Sequence, residues 1–317
     1  MSDRAALVAF ARQSITRGSK SFRAASRLFD RETRERAWLL YAWCRACDDL
    51  ADGQDHGGQM EAAADAGANL ATIRALTARA LAGETTGEPA FDALGLVARE
   101  TGITQAMADD VIAGFALDAA DWRPRHEADT LRYCYHVAGA VGVMMAVVMG
   151  VAADDEDTLD RACDLGLAFQ LANIVRDVSE DDAAGRCYLP QDWLAEADIP
   201  PGEVLKPPYR PALLAMIRRL CALERGYEAS ARTGAGRLRF RQRWAVLSAA
   251  GIYGAIARRA EAMDEHGVDH RIVVPRGAKL ALALRALWQA LLPAPQAPKP
   301  ALSRRELAAL AREEGAH

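Results

Sequence analysis

Apolar residues recur along this chain with the period of amphipathic helices. Between Gly and Pro breaks they return at intervals of three and four, as at Leu7, Phe10 and Ala11. The one-to-one alternation typical of strands is nearly absent. The same helical spacing appears in two further segments: Trp38, Tyr41, Cys44 and Leu70, Ile73, Leu76. The pattern predicts an all-α protein of about nine or ten helices.

The helical pattern covers most of the 317 residues, and we expect residues 1–292 to form one domain. A Pro- and Ala-rich segment, 293–300, precedes a short charged helix at 303–313. We therefore predict that residues 293–317 form a linker and a short C-terminal helix at the periphery of the protein.

One segment is apolar enough to suggest a membrane span. Residues 133–153 contain no formal charge and are long enough to cross a bilayer. The segment contains Gly139, Gly142 and Gly150, and no positive cluster flanks it. These features favour a buried core helix, with a membrane-embedded helix as the alternative.

Composition and charge narrow the function classes. Charged residues make up 26% of the chain and the formal net charge is −4, so nothing indicates nucleic-acid binding. Arg4 and Arg12 interrupt the first apolar stretch, so we recognise no secretory signal, and the six scattered cysteines suit a reducing cytoplasm. Cys44 and Cys47 form a CxxC inside a helical pattern, without a second CxxC or histidines at zinc spacing, and we interpret them as core residues.

Residues 169–190, FQLANIVRDVSEDDAAGRCYLP, place a row of acids on a helix. Asn173, Asp177 and Asp181 are four residues apart and lie on one face, which Gln170 and Gly166 continue. Like charges at this spacing destabilise a helix by roughly a few tenths of a kcal/mol per pair. The row therefore indicates that a positive partner is missing from the sequence.

A second row lies early in the chain, in RAWLLYAWCRACDDLADG at 36–53. Tyr41, Arg45, Asp48 and Asp52 follow one another at intervals of four, three and four, again on one face. We predict that the two rows confront each other across a cavity and share divalent cations, with Mg²⁺ preferred and Mn²⁺ as an alternative. The competing interpretation is that each row is a solvated helix end.

Carboxylates that hold Mg²⁺, with arginines nearby, make a diphosphate a good leaving group. Departure from an allylic carbon leaves a carbocation, which needs an apolar, water-excluding pocket with aromatic faces. We expect the Gly-rich helix at 137–153 to let a long hydrocarbon lie against its backbone. Nucleotide sites fail on spacing, since GAGRLR at 234–239 lacks the third glycine of a dinucleotide fingerprint and no Walker lysine motif occurs.

Four motifs resemble those of the squalene and phytoene synthase family: GSKSF at 18–22, YAWCRACDDLAD at 41–52, YHVAGAVG at 135–142 and QLANIVRDVSEDDAAGRCYLP at 170–190. The resemblance extends from about residue 10 to about residue 285, and DGQDHGG after the first acidic motif is most similar to bacterial 15-cis-phytoene synthases. The resemblance implies a single-domain isoprenoid synthase (class I terpenoid synthase) helical fold with a central apolar cavity.

The family's activity implies a Mg²⁺-dependent prenyltransferase that condenses two geranylgeranyl diphosphates head to head. The reaction passes through prephytoene diphosphate to 15-cis-phytoene, the first committed step of carotenoid biosynthesis, and no NADPH is expected. The implied location is the cytoplasm. Because the product is a long hydrocarbon, we also expect a peripheral contact with the inner membrane face through residues 280–292, LALALRALWQALL, for which core packing is the alternative role.

The resemblance also assigns roles to single residues. The matches to metal ligands are Asp48, Asp52, Asn173, Asp177 and Asp181. The matches to catalytic residues are Tyr41, Arg45, Asp48, Asp52, Tyr135, Asp177 and Asp181. The matches to substrate-binding residues are Ser19, Ser21, Phe22, Arg45, Gln170, Asn173, Arg176, Tyr253 and Arg271, to which the 185–190 loop adds Arg186 as a candidate phosphate clamp.

Some of these residues have simpler explanations. Tyr41 and Tyr135 could be core tyrosines, and Ser19 could cap a helix. Gly18 departs from the family pattern, because some relatives have histidine there, and one phosphate contact is then absent.

Other activities stay open on the sequence alone. A chain-elongating prenyltransferase or a class I terpene cyclase would also use DDxxD, but a second DDxxD is lacking. Squalene, hydroxysqualene and 4,4′-diapophytoene synthases, which act on farnesyl diphosphate, are nearer alternatives, because pocket depth decides the substrate. A non-catalytic helical assembly module of the same family is a further alternative. The sequence makes no prediction of the oligomeric state.

Overall fold

The computed structural model describes residues 3–51, 66–119 and 122–314, without the side chains of residues 20, 21, 66, 119 and 310–314. Helices make up 76% of the chain and the described residues contain no strand, as the apolar pattern predicts. The α-helices are α1 (Arg4–Gly18), α2 (Lys20–Ser26), α3 (Arg31–Ala51), α4 (Ala66–Leu81), α5 (Pro89–Thr101), α6 (Gln105–Ala119), α7 (Glu127–Cys134), α8 (Ala140–Val148), α9 (Glu156–Ala183), α10 (Gln191–Glu196), α11 (Arg210–Gly234), α12 (Phe240–Glu261), α13 (Arg276–Leu291) and α14 (Arg304–Glu314).

The described residues contain more helices than the sequence pattern predicts, because some helices are too short to show a period. α2 has seven residues and α10 has six. α2 begins where the Ser19 hydroxyl accepts a hydrogen bond from the Phe22 N–H (3.2 Å). α10 begins directly after Pro190. Caps and breakers, rather than an apolar face, define such elements.

The chain divides into two compact units. The first contains the described residues of Met1–Ala120 together with Val143–Leu159, and the second contains those of Asp121–Gly142 together with Asp160–His317. Each unit is described below by itself.

In the first unit, α1 and α3 pack through an apolar stripe of each helix. α1 buries Leu7, Ala11 and Ile15 against α3 and α5. Trp43 of α3 is fully buried, and its indole N–H donates to the Thr77 hydroxyl of α4 (3.2 Å). This packing fixes the rotation of α3 about its axis, and so fixes which α3 residues remain at the surface of the bundle.

In the second unit, α9 crosses the preceding apolar helix with its backbone in contact. A Cβ atom on Gly166 would lie 2.3 Å from the Ala138 carbonyl oxygen and 2.7 Å from the Gly139 Cα. A Cβ atom on Gly142 would lie 2.4 Å from the Ala162 carbonyl oxygen. We call Gly139, Gly142 and Gly166 the glycine contact. The expectation that the glycines of residues 137–153 hold a hydrocarbon is wrong for Gly139 and Gly142, because α9 occupies the space beside them.

The same apolar helix contains one wide turn. Between α7 and α8, residues Tyr135–Gly139 form a π turn in which the Ala140 N–H bonds the Tyr135 carbonyl. Such turns occur mostly as single insertions within α-helices, often at functional sites. The turn places Tyr135 and Gly139, a predicted site residue and a member of the glycine contact, at its two ends.

Among the described residues, Glu127–Val148 is the one helical segment long and apolar enough to cross a membrane. Core helices of other proteins meet the same criteria. Within this protein 72% of the apolar window is buried. That burial agrees with the predicted core helix.

The C-terminal segment belongs to the packed structure of the second unit, so the prediction of a peripheral helix is wrong. The Ala297 N–H donates to the Thr233 hydroxyl (3.0 Å). Lys299 and Arg304 both pair with Asp160 (2.9 and 3.4 Å). Leu307 is 1% exposed, and α14 packs on α7 and the π turn. Leu307 and Ala308 of α14 are buried, and a helix this short gains its stability from such packing.

Substitution at the glycine contact should destabilise the fold. Gly166→Ala places a methyl group against backbone, and we expect a loss of about 1–3 kcal/mol in the free energy of unfolding. The measurement is urea denaturation followed by circular dichroism. Gly226→Ala is the matched control, because this helical glycine has open space at its Cβ and should gain about 0.5–1 kcal/mol. Equal effects of the two substitutions would contradict the contact.

A buried acid in α11 should make stability depend on pH. Glu224 is 1% exposed, and neither carboxylate oxygen has a hydrogen-bond partner among the described residues. Burial, with repulsion from Glu228, raises the pKa of Glu224 to about 8, although Arg258, Arg225 and Arg232 oppose the shift. Between the two pKa values, Glu224 is therefore protonated in the folded protein and ionised in the unfolded chain. Stability should fall as pH rises from about 4.5 to about 8.

Replacing this acid removes the ionisable group. Glu224→Gln should raise the free energy of unfolding at pH 9 by about 2 kcal/mol relative to the parent, and should change it little at pH 5. The measurement is urea denaturation at both pH values. Glu196→Gln, an exposed position of α10, serves as the control. A gain of the same size at both pH values would contradict the charge explanation.

Candidate functional site

α3 brings Tyr41, Arg45 and Asp48 onto one face, as predicted, and we call these residues the α3 row. The Arg45 guanidinium donates to Asp48 Oδ2 (2.8 Å) and pairs with Asp49 Oδ1 (2.5 Å). The Asp48 side chain is 47% exposed, so it is accessible to a ligand. Asp52, the last predicted member, lies outside the described residues.

Asp49 orients Arg45, a role that the sequence analysis did not predict. It is 8% exposed and holds the second guanidinium nitrogen of Arg45 from the next turn of the helix. A buried carboxylate of this kind orients its arginine, because leaving either charge unpaired would cost several kcal/mol. The signal was present in the sequence as an Arg–Asp pair at i and i+4.

Tyr41 occupies the space beside Gly18. A Cβ atom on Gly18 would lie 2.3 Å from the Tyr41 hydroxyl oxygen. The Phe22 ring packs against the Tyr41 ring with centroids 5.6 Å apart. Burial raises the pKa of Tyr41, so its hydroxyl stays protonated. Gly18 is thus needed for the placement of Tyr41.

Ser19 and Ser21 were predicted to bind substrate together with Phe22. The Ser19 hydroxyl is engaged as the N-cap of α2. The Ser21 side chain lies outside the described residues. The capping explanation of Ser19 is therefore confirmed, and the predicted phosphate contacts of both serines stay predictions.

The α9 row consists of Asn173, Asp177 and Asp181, and the way α9 ends adds Arg186 to it. Gly185 adopts φ 74°, which lets the Arg186 N–H bond the Asp181 carbonyl (2.8 Å) and the Gly185 N–H bond the Asp182 carbonyl (2.9 Å). This is the Schellman arrangement, for which glycine at the turn is the usual requirement. The sequence DDAAGR thereby places Arg186 close enough for its charge to oppose the rise that burial causes in the pKa of Asp181.

Asp177 is held by its neighbour Arg176 and by Arg271 from a distant part of the chain. The Arg176 guanidinium donates to both carboxylate oxygens (2.8 and 2.5 Å), and Arg271 Nε lies 3.0 Å from Oδ1. Arg271 also pairs with Glu180 (3.3 Å), a residue that the sequence interpretation did not single out. The fold thus brings Arg176, Asp177 and Arg271 together, and their roles in substrate binding stay predictions.

Asp181, one turn later, is only partly compensated. Burial is the largest cause that raises the pKa of Asp181, to about 6, and repulsion from Asp177 adds to it. A carboxyl group with this environment gains from a nearby cation, which would restore its ionised form.

The remaining member of the row presents an unpaired oxygen. Asn173 Nδ2 donates to Gln170 Oε1 (3.2 Å), whereas the buried Asn173 Oδ1 has no hydrogen-bond partner in the described part of the chain. An amide oxygen followed by two carboxylates at four-residue intervals is a donor set suited to Mg²⁺. Asn173, Asp177 and Asp181 therefore fit a divalent cation. Because this set includes the amide of Asn173, it is not a cluster of His, Cys, Asp or Glu alone. No group of three such residues close enough to hold a metal occurs among the described residues.

Tyr253 of α12 lies beside the α9 row. Its ring stacks on Phe169 with centroids 4.0 Å apart, and it packs in a cluster with Ala172 and Ile256. Burial raises the pKa of Tyr253, and the charge of Arg176 opposes the shift. The late tyrosine suggested by the motif match therefore does lie close to Arg176 and Asp177. Phe169 was not predicted.

Tyr135 opens the π turn and is 2% exposed. Its ring meets the His136 ring edge to face, with centroids 5.0 Å apart. A Cβ atom on Gly139 would lie 3.3 Å from the Tyr135 ring. Tyr135 is thus fixed by its neighbours, as either a core or a site tyrosine would be.

The loop after α9 is anchored by aromatic stacking. Tyr188 stacks on Tyr133 (4.7 Å between centroids), which stacks on Trp122 (6.0 Å). The Thr130 hydroxyl donates to the Tyr188 carbonyl (3.2 Å). Arg186 is held at the start of this loop, next to Asp181.

The inference that the α9 row lacks a positive partner within the sequence is wrong for Asp177, because Arg176 and Arg271 pair with it. In the α3 row, Arg45 pairs with Asp48 and Asp49. Such planar guanidinium groups also match phosphate oxygens, so a diphosphate could take their hydrogen bonds in place of the carboxylates. Each row therefore combines carboxylate oxygens for a cation with guanidinium groups for a diphosphate. That the two rows meet stays a prediction.

The comparisons with known proteins agree with the motifs. A family model described as squalene/phytoene synthase matches residues 15–278. The chain is 45% identical over 287 residues to a phytoene synthase of Pseudescherichia vulneris, which covers 90% of this chain and 92% of the relative. It is 45% identical over 276 residues to the 15-cis-phytoene synthase of Pantoea ananas, covering 86% and 89%.

Solved structures show the same fold. A dehydrosqualene synthase in complex with a ligand matches with a TM-score of 0.75 and 25% identity, covering 89% of this chain and 96% of the other. The squalene synthase HpnC from Alicyclobacillus acidocaldarius matches in fold with a TM-score of 0.72 at 21% identity, covering 84% and 96%. The isoprenoid synthase helical fold and the resemblance seen in the motifs are thus confirmed, and the chain belongs to the squalene/phytoene synthase family.

Proposed function

We propose that this protein is a phytoene synthase, a prenyltransferase that condenses two molecules of geranylgeranyl diphosphate to 15-cis-phytoene for carotenoid biosynthesis. The observation that carries the proposal is the 45% identity to phytoene synthases over about nine tenths of both chains. The arginine and carboxylate rows on α3 and α9 support it, since both kinds of group are needed to bind and release diphosphate.

The arginines have the clearest roles in this reaction. Arg45, Arg176 and Arg271 would bind diphosphate oxygens and stabilise the charge that develops as the carbon–oxygen bond breaks. Their present carboxylate partners hold them in position without the substrate, so little reorganisation is needed on binding. Arg186 would act in the same way from the end of α9.

We further propose that Asp48 and Asp52 of one row, and Asn173, Asp177 and Asp181 of the other, hold Mg²⁺, for which Mn²⁺ could substitute. The unpaired Asn173 oxygen and the raised pKa of Asp181 support this assignment. When bound, the cation would neutralise part of the charge of the leaving diphosphate. Tyr41, Tyr135 and Tyr253 offer aromatic faces and protonated hydroxyls, which stabilise a cation without attacking it.

The substrate should have the C20 rather than the C15 chain. The relatives that share 45% identity are named phytoene synthases, while the dehydrosqualene synthase structure shares 25%. Retention of the described arginine–acid pairs disfavours a non-catalytic assembly module. No NADPH is required in this scheme, since the product is not reduced.

A product assay tests the proposal directly. Purified protein with Mg²⁺ and geranylgeranyl diphosphate should release diphosphate and yield phytoene, identified by mass spectrometry. Farnesyl diphosphate should be used at least about 10-fold less efficiently, because a pocket sized for a longer chain loses contacts with a shorter one. A preference for farnesyl diphosphate, or linear elongation products, would overturn the assignment.

Variants of the two rows complete this experiment. Asp48→Ala and Asp177→Ala should each lower turnover at least about 100-fold while circular dichroism shows an intact fold. Asp177→Ala should also bind Mn²⁺ more weakly, as followed by electron paramagnetic resonance. This measurement does not depend on turnover. Asp109→Ala, an exposed position of α6, is the control. Near-normal rates in either row variant would return that row to the solvated-helix interpretation.

We also propose that the protein works in the cytoplasm and contacts an anionic membrane surface through α13. Five large apolar residues on this helix and at its end are exposed: Leu280, Leu284, Trp288, Leu291 and Leu292, at 53–69%. The spacing of the first three is four residues, so they share one face. The basic residues Arg276, Lys279 and Arg285 lie on the same helix, which contains no acid. An apolar face with basic neighbours is the pattern of an interfacial helix.

Vesicle binding tests this surface. Leu284→Gln/Trp288→Gln should reduce co-flotation with phosphatidylglycerol vesicles at least about 5-fold, because burial of each large side chain contributes about 1.5–3 kcal/mol. Phe240→Gln, which removes an exposed apolar residue from α12, should bind as the parent does. Unchanged flotation of the α13 variant, or its conversion from dimer to monomer in sedimentation, would assign this face to something other than a membrane.

A further inference from the structure

A groove in the first unit has no part in the site described above. It has a volume of about 1020 Å³ and lies along α1, α2 and the first two turns of α3. Six arginines and two acids line it: Arg4, Arg12, Arg17, Arg23, Arg31 and Arg34, with Asp3 and Glu35. A smaller cavity of about 320 Å³ shares part of this lining and adds Arg27. The concentration of one charge in a concave surface attracts anions.

The acids of the groove form ion pairs with only some of its arginines. Glu35 is bound by Arg4 and Arg31 (2.7 and 2.8 Å), and Arg4 is bound by Glu100 as well. No ion pair joins the other four arginines of the groove to an acid within the described residues. These four are Arg12, Arg17, Arg23 and Arg34.

One of these arginines is held in place inside the groove. Arg34 Nε is buried and has no hydrogen-bond partner in the described residues. Its guanidinium lies over the Trp38 ring, 5.5 Å from the centroid. The Trp38 indole N–H is fixed by the Ser26 hydroxyl (3.0 Å). A buried donor without an acceptor is unfavourable, and an anion in the groove would supply the missing acceptor.

The groove is also separate from the α3 row. Arg34 precedes Arg45 by eleven residues, or about 16 Å along a helix. Tyr41 and Arg45 do not line either cavity. Ala5, Val8 and Ala9 of α1 also line the groove, and Trp38 adds an aromatic surface. The groove therefore offers apolar as well as basic side chains.

We propose that this groove is a second anion site, which binds the phosphate or diphosphate group of an amphiphilic phosphate whose hydrocarbon part lies against the apolar lining residues. Two sources share this chemistry, a soluble prenyl diphosphate and an anionic phospholipid. The site would hold such a molecule outside the reacting centre. The proposal stands independently of the proposed reaction, because it depends only on recognition of phosphate.

The test uses the full-length protein and inorganic diphosphate as the probe, followed by isothermal titration without a divalent metal. Arg12→Gln/Arg34→Gln should weaken binding in the groove at least 10-fold. Arg12→Gln/Arg17→Gln alters two exposed side chains, so it should fold normally and still weaken binding at least 3-fold. Arg74→Gln/Arg99→Gln makes the same charge change on exposed faces of α4 and α5 and should bind as the parent does. Equal binding by all three variants overturns the proposal.

A variant of the two rows distinguishes diphosphate binding in this groove from diphosphate binding by the row arginines. In Arg45→Gln/Arg176→Gln, diphosphate binding should persist at one site and should be lost when Arg12→Gln/Arg34→Gln is added. Loss of all binding in Arg45→Gln/Arg176→Gln alone would overturn the proposal and leave the proposed enzyme function intact. Turnover of Arg12→Gln/Arg17→Gln at saturating substrate should stay within 3-fold of the parent.

Vesicle flotation then identifies the source of the phosphate. If the groove variants bind phosphatidylglycerol vesicles less well than the Arg74→Gln/Arg99→Gln control, and zwitterionic vesicles equally, the natural ligand is a phospholipid headgroup. If vesicle binding is equal but geranylgeranyl diphosphate competes with inorganic diphosphate in the groove, the ligand is a soluble prenyl diphosphate. Either result supports the site. If vesicle binding is equal and no competition occurs, the amphiphilic part of the proposal is overturned.

Discussion

The contact of Gly166 with the backbone of residues 138 and 139 determines where the polar groups of α9 point. A helix that touches a neighbour through a glycine can approach only with that face, since any other face carries side chains. Gln170 and the α9 row continue the face that Gly166 begins. The close approach of two backbones therefore sets the direction of the groups that would bind a diphosphate and a cation. It also fixes Tyr135, which lies one turn before Gly139 in the partner helix.

Most charges of the two rows are paired before any ligand binds. Arg45 satisfies a buried and an exposed acid at once, and Arg271, which follows α12, pairs with Asp177 and Glu180 of α9. Asp181 is the exception, since burial and repulsion from Asp177 raise its pKa. Binding of a phosphate and a cation would then exchange partners among existing charges. Such an exchange requires small movements of side chains and no new ordering of the backbone.

Much of the architecture could be predicted from the apolar pattern, because long helices repeat their apolar face several times. The helical class and the two polar rows follow from periodicity, and the core position of the uncharged segment 133–153 from its glycines and its flanks without a positive cluster. α2 and α10 could not be found in this way, since they are defined by one cap or one proline each. The π turn has no periodic signal at all. The burial of Leu307 was missed because a charged eleven-residue helix reads as surface until its partner is known.

The sequence predicts which residues belong to the candidate site better than it predicts which of them pair with one another. Arg176 and Asp177 are neighbours in sequence, and adjacent helical residues do not normally face each other. A long guanidinium side chain bridges that angle, which spacing rules do not anticipate. Arg271 reaches the same carboxylate from nearly one hundred residues away, so only the fold brings it there. Asp49 was not predicted, because its burial depends on packing that a single helix does not reveal.

Asp160 pairs with both Lys299 and Arg304, so a single residue anchors the segment that leads into α14. α14 then packs on α7 and on the π turn that begins with Tyr135. Removal of α14 would therefore expose part of α7 and of the π turn to solvent. Residues close to the C-terminus thus support a helix that precedes them by more than 160 residues.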